Sequence, residues 1–314
     1  MRGLLVSAVL FASLGAQAAP TPVFIDARDY GARGDGKADD TDALQRALDA
    51  AGVAGRTVLL PTGQYLISRP LRLPRNVDLV GQGMGFASEI VPVKCDGLRV
   101  VGRDQPGGAA FRNRIEGIAI TMTAARPQDT GIVVQDAYSL VVREVFVYEA
   151  GRGISIRDSA HVTLDSISVY GKAAGGSTGI EIEDGIVSAY NIDVESVERG
   201  LVVRGRAGRF GNVSLFGGYF ERFGQQGVLI DGATSVSLFG TFVVAQAAVG
   251  ATPLVVRPGP GGSSGCSGIV VAGGTYAFDT PQPGRKAIDV AAGCRIAGLD
   301  GSAGSPGDAR PARR

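Results

Sequence analysis

The chain has 314 residues, 31 lysines and arginines against 30 aspartates and glutamates, and 48 glycines. Balanced charge, with no basic stretch interleaved with aromatics, argues against nucleic acid as a partner. Glycine at about twice its usual share, without a triplet period, excludes collagen and calls for many tight turns between short apolar runs.

The chain opens on a secretory pattern. Arg2 supplies a positive start, residues 4–14 an apolar core, and Ala16-Gln17-Ala18 a small-residue cleavage site, so residues 1–19 are expected to be a signal peptide and the protein secreted or periplasmic. That run is too short to span a bilayer, and no later stretch approaches the roughly 20 apolar residues a membrane helix needs. No integral membrane segment is expected after cleavage.

Residues 23–41 read as an apolar strand running into the turn Tyr30-Gly31-Ala32-Arg33-Gly34-Asp35-Gly36 and then a helix. Asp40 or Thr41 is placed to cap that helix, and Ala43, Leu44, Ala47, Leu48 and Ala51 share one face at helical spacing. Such a helix covers the open end of a sheet stack, whose unpaired edge otherwise invites aggregation. Leu59-Leu60-Pro61-Thr62-Gly63 and Val77-Asp78-Leu79-Val80-Gly81 follow as strands broken by Pro and Gly.

Together the Asp-Tyr-Gly-Ala-x-Gly-Asp-Gly-x-x-Asp-Asp-Thr opening at residues 29–41, its helix and these two strands resemble the rhamnogalacturonase/epimerase-like pectate-lyase domain. That domain belongs to the pectate-lyase superfamily and is related to glycoside hydrolase family 28. The resemblance covers residues 24–83 and implies an all-β fold, a right-handed parallel β-helix of the pectin-lyase-like type with an N-terminal capping helix. It also implies a polysaccharide ligand or substrate and admits a homotrimer, as in similar tailspike-type proteins. Hydrolases, lyases, epimerase-like proteins and depolymerases share such openings, so the reaction type stays open.

Further on, a Gly-apolar-x-apolar unit recurs from Gly131, Gly153, Gly179, Gly200 and Gly227, at steps of 22, 26, 21 and 27 residues by subtraction. A repeat in the range of about 20 to 50 residues signals a solenoid, and period-two alternation within each unit signals strands. A second strand is expected in every coil, at residues 115–120, 141–148, 162–170, 187–195, 213–220 and 236–242. Degenerate coils are expected at 252–256 and 287–290, with a loop at 258–265 between them. One domain over residues 20–301 and a disordered tail at 302–314 complete the organisation.

Alternation also says which side chains face out. With Val145, Val147, Ile167, Val169, Ile192 and Val194 inward, the outward set is Phe146, Tyr148, Ser168, Tyr170, Asp193 and Glu195. Counting back from the glycine that opens the following coil makes Glu221 a spatial neighbour of Asp193 and Glu195, although Gly217-Gly218 leaves room for a bulge. Exposed rings offer flat apolar faces to sugars, and carboxylates bond hydroxyls or move protons. The candidate catalytic set is therefore Asp193, Glu195 and Glu221, and the candidate substrate-binding set Tyr148, Tyr170, Tyr219 and Arg222. Acids stacked on adjacent coils stand about 5 Å apart and acids at i and i+2 about 7 Å, spacings compatible with retaining and inverting glycoside hydrolysis respectively.

A lyase instead needs a base for the proton α to a uronate carboxylate, with Arg143, Lys172, Arg199 and Arg222 available, and nothing groups these with three acids at a calcium spacing. A non-catalytic binding or appendage module is the third reading. The polygalacturonase-type run of Asn-Thr-Asp, Asp-Asp, Gly-His-Gly and Arg-Ile-Lys is not found in the coil region. His161 reads as a turn residue, and Asp39-Asp40 as capping and turn formation. No cofactor is expected, and with His161 the only histidine no zinc spacing exists. Cys266 and Cys294 lie about one repeat apart, where either a disulfide or two buried thiols fits, with Cys95 left over.

Overall fold

The computed structural model describes residues 24–298 except 84, 106, 109, 124–125, 172–174, 210, 247–249 and 260–265. The expected signal peptide, the expected tail, Lys172 and most of the 258–265 loop thus lie outside the described residues. No helix among the described residues is long and apolar enough to cross a membrane.

Two parallel sheets wind along one axis. Nine strands form one sheet, from Leu71–Arg72 through Thr178–Glu183 to Ile288–Val290. Each pairs with the same strand of the coils before and after, so that Ile156, Ile182 and Val203 stand in one column. A second, seventeen-stranded sheet makes up the rest of the perimeter. The expected coils at 252–256 and 287–290 are present as Thr252–Arg257 and Ile288–Val290. The inward residues Val145, Val147, Ile167, Val169, Ile192 and Val194 are all at most 2% exposed. Burial of these columns, at about 25 cal/mol per Å² of apolar surface, is the main stabilising term.

The repeated glycines have a steric cause. A Cβ on Gly179 would stand 2.3 Å from Val194 Cγ1 and 2.6 Å from the Gly200 carbonyl oxygen. The chain turns here so tightly that the next coil and the same coil's own valine close on the α-carbon. Gly179→Ala is therefore expected to cost about 1–3 kcal/mol by overpacking, seen as a lower urea midpoint with unchanged slope.

One expectation needs correction. The second strand of each of these coils is not one straight run but bends at a left-handed residue, Glu144 (φ 50°), Ser166 (φ 56°), Asn191 (φ 51°), Gly117 or Gly240, or in one coil at the pair Gly217 and Gly218. One residue in this region turns the chain without a loop, and Gly and Asn adopt it at least cost. Inward positions therefore step by three across the bend, from Val142 to Val145 and from Leu164 to Ile167. Each coil thus has three walls.

Helix α1 (Thr41–Ala54) buries the expected face. Its cap differs from expectation: Asp40 occupies the N-cap position, but its carboxylate accepts from the Arg33 and Gly34 amides of the preceding turn, at 2.7 and 2.9 Å, rather than from the helix. The carboxylate of Asp39 instead accepts from the Thr41 amide and hydroxyl and, at 2.6 Å, from the Ser68 hydroxyl. The Ser68 hydroxyl, then that of Thr41, hold Asp39 below the ordinary aspartate range. Gln45 on α1 donates through Nε2 to the Arg72 carbonyl at 3.0 Å and accepts the Arg72 amide at 2.9 Å. Its carboxamide thereby takes the place of a neighbouring strand at the first strand of the nine-stranded sheet.

At the opposite end Cys266 and Cys294 form a disulfide, with 5.1 Å between α-carbons, while Cys95 is free and half-buried. Burial pushes the Cys95 thiol up.

Candidate functional site

The three acids occupy the wall that follows the left-handed bend. Strands Ala160–Gly171, Ile186–Glu195 and Tyr219–Glu221 run side by side here, and Ile192 and Val194 point inward, so Asp193 and Glu195 join the outer rows. In one row Ser168 pairs with Asp193 and Asp193 with Tyr219; in the other Tyr170 pairs with Glu195 and Glu195 with Glu221. Gly217 and Gly218 both take positive φ, which absorbs the irregularity before Tyr219 and keeps Glu221 in register. The structure therefore brings Asp193, Glu195 and Glu221 together on one wall.

Their surroundings differ. The Tyr170 hydroxyl donates to Asp193 Oδ2 at 3.0 Å, while Asp193 Oδ1 is buried without a hydrogen-bond partner. Burial pushes the Asp193 carboxyl above the ordinary aspartate value and the Glu221 charge adds to the push, whereas the Tyr170 hydrogen bond opposes it. An unpartnered buried oxygen favours the neutral acid for the same reason, since desolvation penalises the charged form.

Glu221 is more open: its Oε2 accepts from the Tyr219 hydroxyl at 2.8 Å, and that bond, with burial, holds the Tyr219 phenol up to about 12. Tyr170 is raised too, mainly by burial and by the Asp193 carboxylate. Arg222, at a left-handed corner with φ 53°, reaches Glu195 Oε2 at 3.5 Å and Glu221 Oε1 at 3.9 Å. Glu195 lies in the outer row as expected but is covered, only 9% exposed.

Rings flank the acids along the axis. Phe146 stacks on Tyr148 and Tyr170 with centroids 6.1 and 5.3 Å away, and Tyr219 stacks on Phe242 at 4.9 Å with planes 3° apart. All four site residues expected to bind substrate, Tyr148, Tyr170, Tyr219 and Arg222, stand on or beside this wall. Two rings escaped the sequence reading. Phe242 pairs with Tyr219, and its signal was its place two residues after Gly240, as Tyr219 follows Gly217. Phe86 meets Phe146 edge-on at 4.9 Å from a glycine-rich loop that carried no repeat signal.

The remaining candidates have local partners. Arg143 pairs with Asp165 at 3.1 Å, Arg199 donates to Gln225 and Gln226, and His161 sits at a bend (φ 54°) with its ring 4.8 Å from that of Tyr138. A concavity of about 110 Å³ lies elsewhere, lined by Asp184, Arg204, residues 205–209 and Thr234 among others and by none of the three acids. Its Arg206 is bound to Asp184, Asp158 and Glu183.

One feature of the other sheet went unread. Arg157, Glu183, Arg204, Asp231 and Arg257 form one row of alternating charge, with Arg157–Glu183 at 2.9 Å and Arg257–Asp231 at 3.1 Å. Each stands four residues after a repeat glycine or its equivalent. Among the described residues no group of three or more His, Cys, Asp or Glu is arranged to hold a metal ion.

Residues 24–107 match the family described as "Rhamnogalacturonase A/epimerase, pectate lyase-like". Alginate lyase 7 of Azotobacter vinelandii is 52% identical over 66 residues, a stretch that spans 18% of this chain and only 8% of that protein. Among solved structures, the surface adhesin PfbA of Streptococcus pneumoniae superposes with a TM-score of 0.68 at 17% identity, covering 87% of this chain and 77% of that one. The family 28 exopolygalacturonase of Yersinia enterocolitica gives 0.62 at 12% identity, covering 86% and 68%. These likenesses establish the fold.

Proposed function

Taking as premise that the chain is a pectate-lyase-like β-helix, we propose that it is an exported polysaccharide-active protein that hydrolyses glycosidic bonds on the acid wall. The single observation that carries this reading is the in-register stack of Glu195 on Glu221 beside an Asp193 whose carboxyl is pushed up by burial. Hydrolysis needs one carboxyl group protonated and one ionised. In this reading Asp193, whose pKa burial raises, is the general acid, and its carboxyl turns about Cβ–Cγ to present the proton to the substrate. Glu221, the more accessible carboxylate, is base or nucleophile, and Glu195 with Arg222 sets the local field. Tyr148, Tyr170 and Tyr219 carry the sugar rings.

Incubation with neutral and acidic polysaccharides tests this directly. New reducing ends are expected on at least one polymer, and their absence on all of them sinks the hydrolase. The pH profile carries a second check. The acid must be protonated, so the rate falls as pH rises through a limb lying above the ordinary aspartate value of about 3.9. Because the Tyr170 hydroxyl lowers the Asp193 pKa, Tyr170→Phe is expected to move that limb to higher pH.

A binding module is the second reading, favoured by the burial of Asp193 Oδ1 and by the ion pair that occupies Glu195. Binding without turnover that survives replacement of all three acids by alanine would decide for it. Elimination is the weaker chemistry here, since Arg222 already faces two carboxylates and a guanidinium does not give up its proton in proteins. No ultraviolet-absorbing unsaturated uronate is expected.

A further inference from the structure

The outer rows of the acid wall are one-sided in charge over their whole length. Following the pairing from coil to coil, the row through Asp193 runs back through Ser168, Phe146 and Ala119 to Glu89, Gln64 and Asp35, and forward to Tyr219, Phe242 and Thr275. The row through Glu195 runs back through Tyr170 and Tyr148 to Thr121 and forward through Glu221 to Val244 and Ala277. The two rows hold five carboxyl side chains, Asp35, Glu89, Asp193, Glu195 and Glu221, and no lysine or arginine.

Composition does not explain this, because 31 basic and 30 acidic residues nearly cancel over the chain. Nor does stacking as such. On the nine-stranded sheet the same geometry is solved by alternation, Arg157, Glu183, Arg204, Asp231 and Arg257 following one another up one row. On the acid wall Glu195 and Glu221 are directly opposite each other, an arrangement that is destabilising between like charges. Arg222 reaches both only from the corner, at 3.5 and 3.9 Å. A ligand that relieves this repulsion brings hydrogen-bond donors and no anions of its own.

We propose that the wall selects a polysaccharide free of carboxylate and sulfate groups, and that amino groups on the sugar strengthen its hold. The inference rests on the acid wall being the sugar site. A polyuronate laid along the rings of Tyr170 and Tyr219 would bring its carboxylates against Glu195 and Glu221, with Arg222 as the one nearby counter-charge and already shared between the two. A neutral polymer meets only acceptors for its hydroxyls, and a protonated amine meets unspent negative charge.

The test is binding, measured by affinity electrophoresis with the whole protein on two matched pairs of polymers. Polygalacturonate is set against the same polymer with its carboxyl groups reduced to alcohols, and chitosan against its N-acetylated form. At about 20 mM salt the reduced polymer is expected to bind on the order of tenfold more tightly than polygalacturonate, and chitosan more tightly than its acetylated form, with both gaps narrowing by 0.5 M salt as charges are screened. The doubly neutralised variant Glu195→Gln with Glu221→Gln is expected to close most of the first gap while keeping the melting curve of the parent. Polygalacturonate binding as tightly as its reduced form, or more so, overturns the inference while leaving hydrolysis standing. The expected preference without any new reducing ends upholds the inference and sinks hydrolysis instead. No binding to any of the four polymers overturns the inference, while hydrolysis falls only if no polymer yields new reducing ends.

Discussion

Replacing Glu221 by glutamine is expected to lower kcat about 10²- to 10⁴-fold on whichever polymer the protein cleaves, the usual contribution of a positioned acid or base. Glutamine keeps the shape of the side chain and still accepts from the Tyr219 hydroxyl, which now stands 2.8 Å from Oε2, so the fold and the ring platform stay in place. The change removes only the ability to take a proton or to attack. KM should therefore move little and the melting temperature hardly at all, since the side chain is about a quarter exposed. A smaller loss is expected from Tyr219→Phe, which removes a hydrogen bond without removing the carboxylate. Turnover unchanged in Glu221→Gln, with the same pH profile, sinks the assignment of Glu221 whatever the other two acids do.

The second large effect concerns stability. Ile182 is 1% exposed and stands in one column between Ile156 and Val203. Ile182→Asp puts a carboxylate among methyl groups with no partner, and burying an unpaired charge is among the few single changes that cost more than about 4 kcal/mol. In a solenoid each coil is held by its two neighbours, so the defect breaks the stack in the middle rather than at an end. Loss of the cooperative urea transition is expected, or expression only as insoluble material. Ser155→Asp, in the outward row of the preceding strand, should by contrast melt close to the parent, because Ser155 is only partly buried and the charge of its in-register neighbour Glu181 is already offset by Arg152 and Arg204. A cooperative transition for Ile182→Asp near that of the parent contradicts the assignment of that face to the interior.

Much of this molecule is legible in its sequence because a solenoid repeats its logic. The glycine of each Gly-apolar-x-apolar unit marks a point where the backbone of the next coil closes in, and the alternation that follows is local. The left-handed bends were harder to see, because a single residue carries each one and its identity changes from Glu144 to Ser166 to Asn191. The trace they leave is a step of three between inward residues where a step of two was expected. Asp193, Glu195 and Glu221 lie beyond these bends and were still placed on one wall, since alternation restarts after each corner.

The role of Asp40 could not be read off, because a carboxylate at that point can face the helix or the turn, and only the turn's path at Arg33 and Gly34 decides between them. The alternating charge row was visible in principle, four residues after the repeat glycines, but its meaning depends on knowing that those positions stack in register. Phe86 had no signal at all, as it reaches the ring cluster from outside the repeat.

The Cys266–Cys294 bridge has a bearing on how the molecule fails. A stack of rungs loses its end rungs first, and in the last rung among the described residues, 288–297, Ile288, Val290 and Ile296 are only partly buried. The covalent link ties that final rung to the one before it, so fraying from this end must unpick two rungs together or none. Under reducing conditions erosion from this end is expected to set in sooner, read as faster amide exchange over residues 288–297 with exchange over residues 193–221 unchanged.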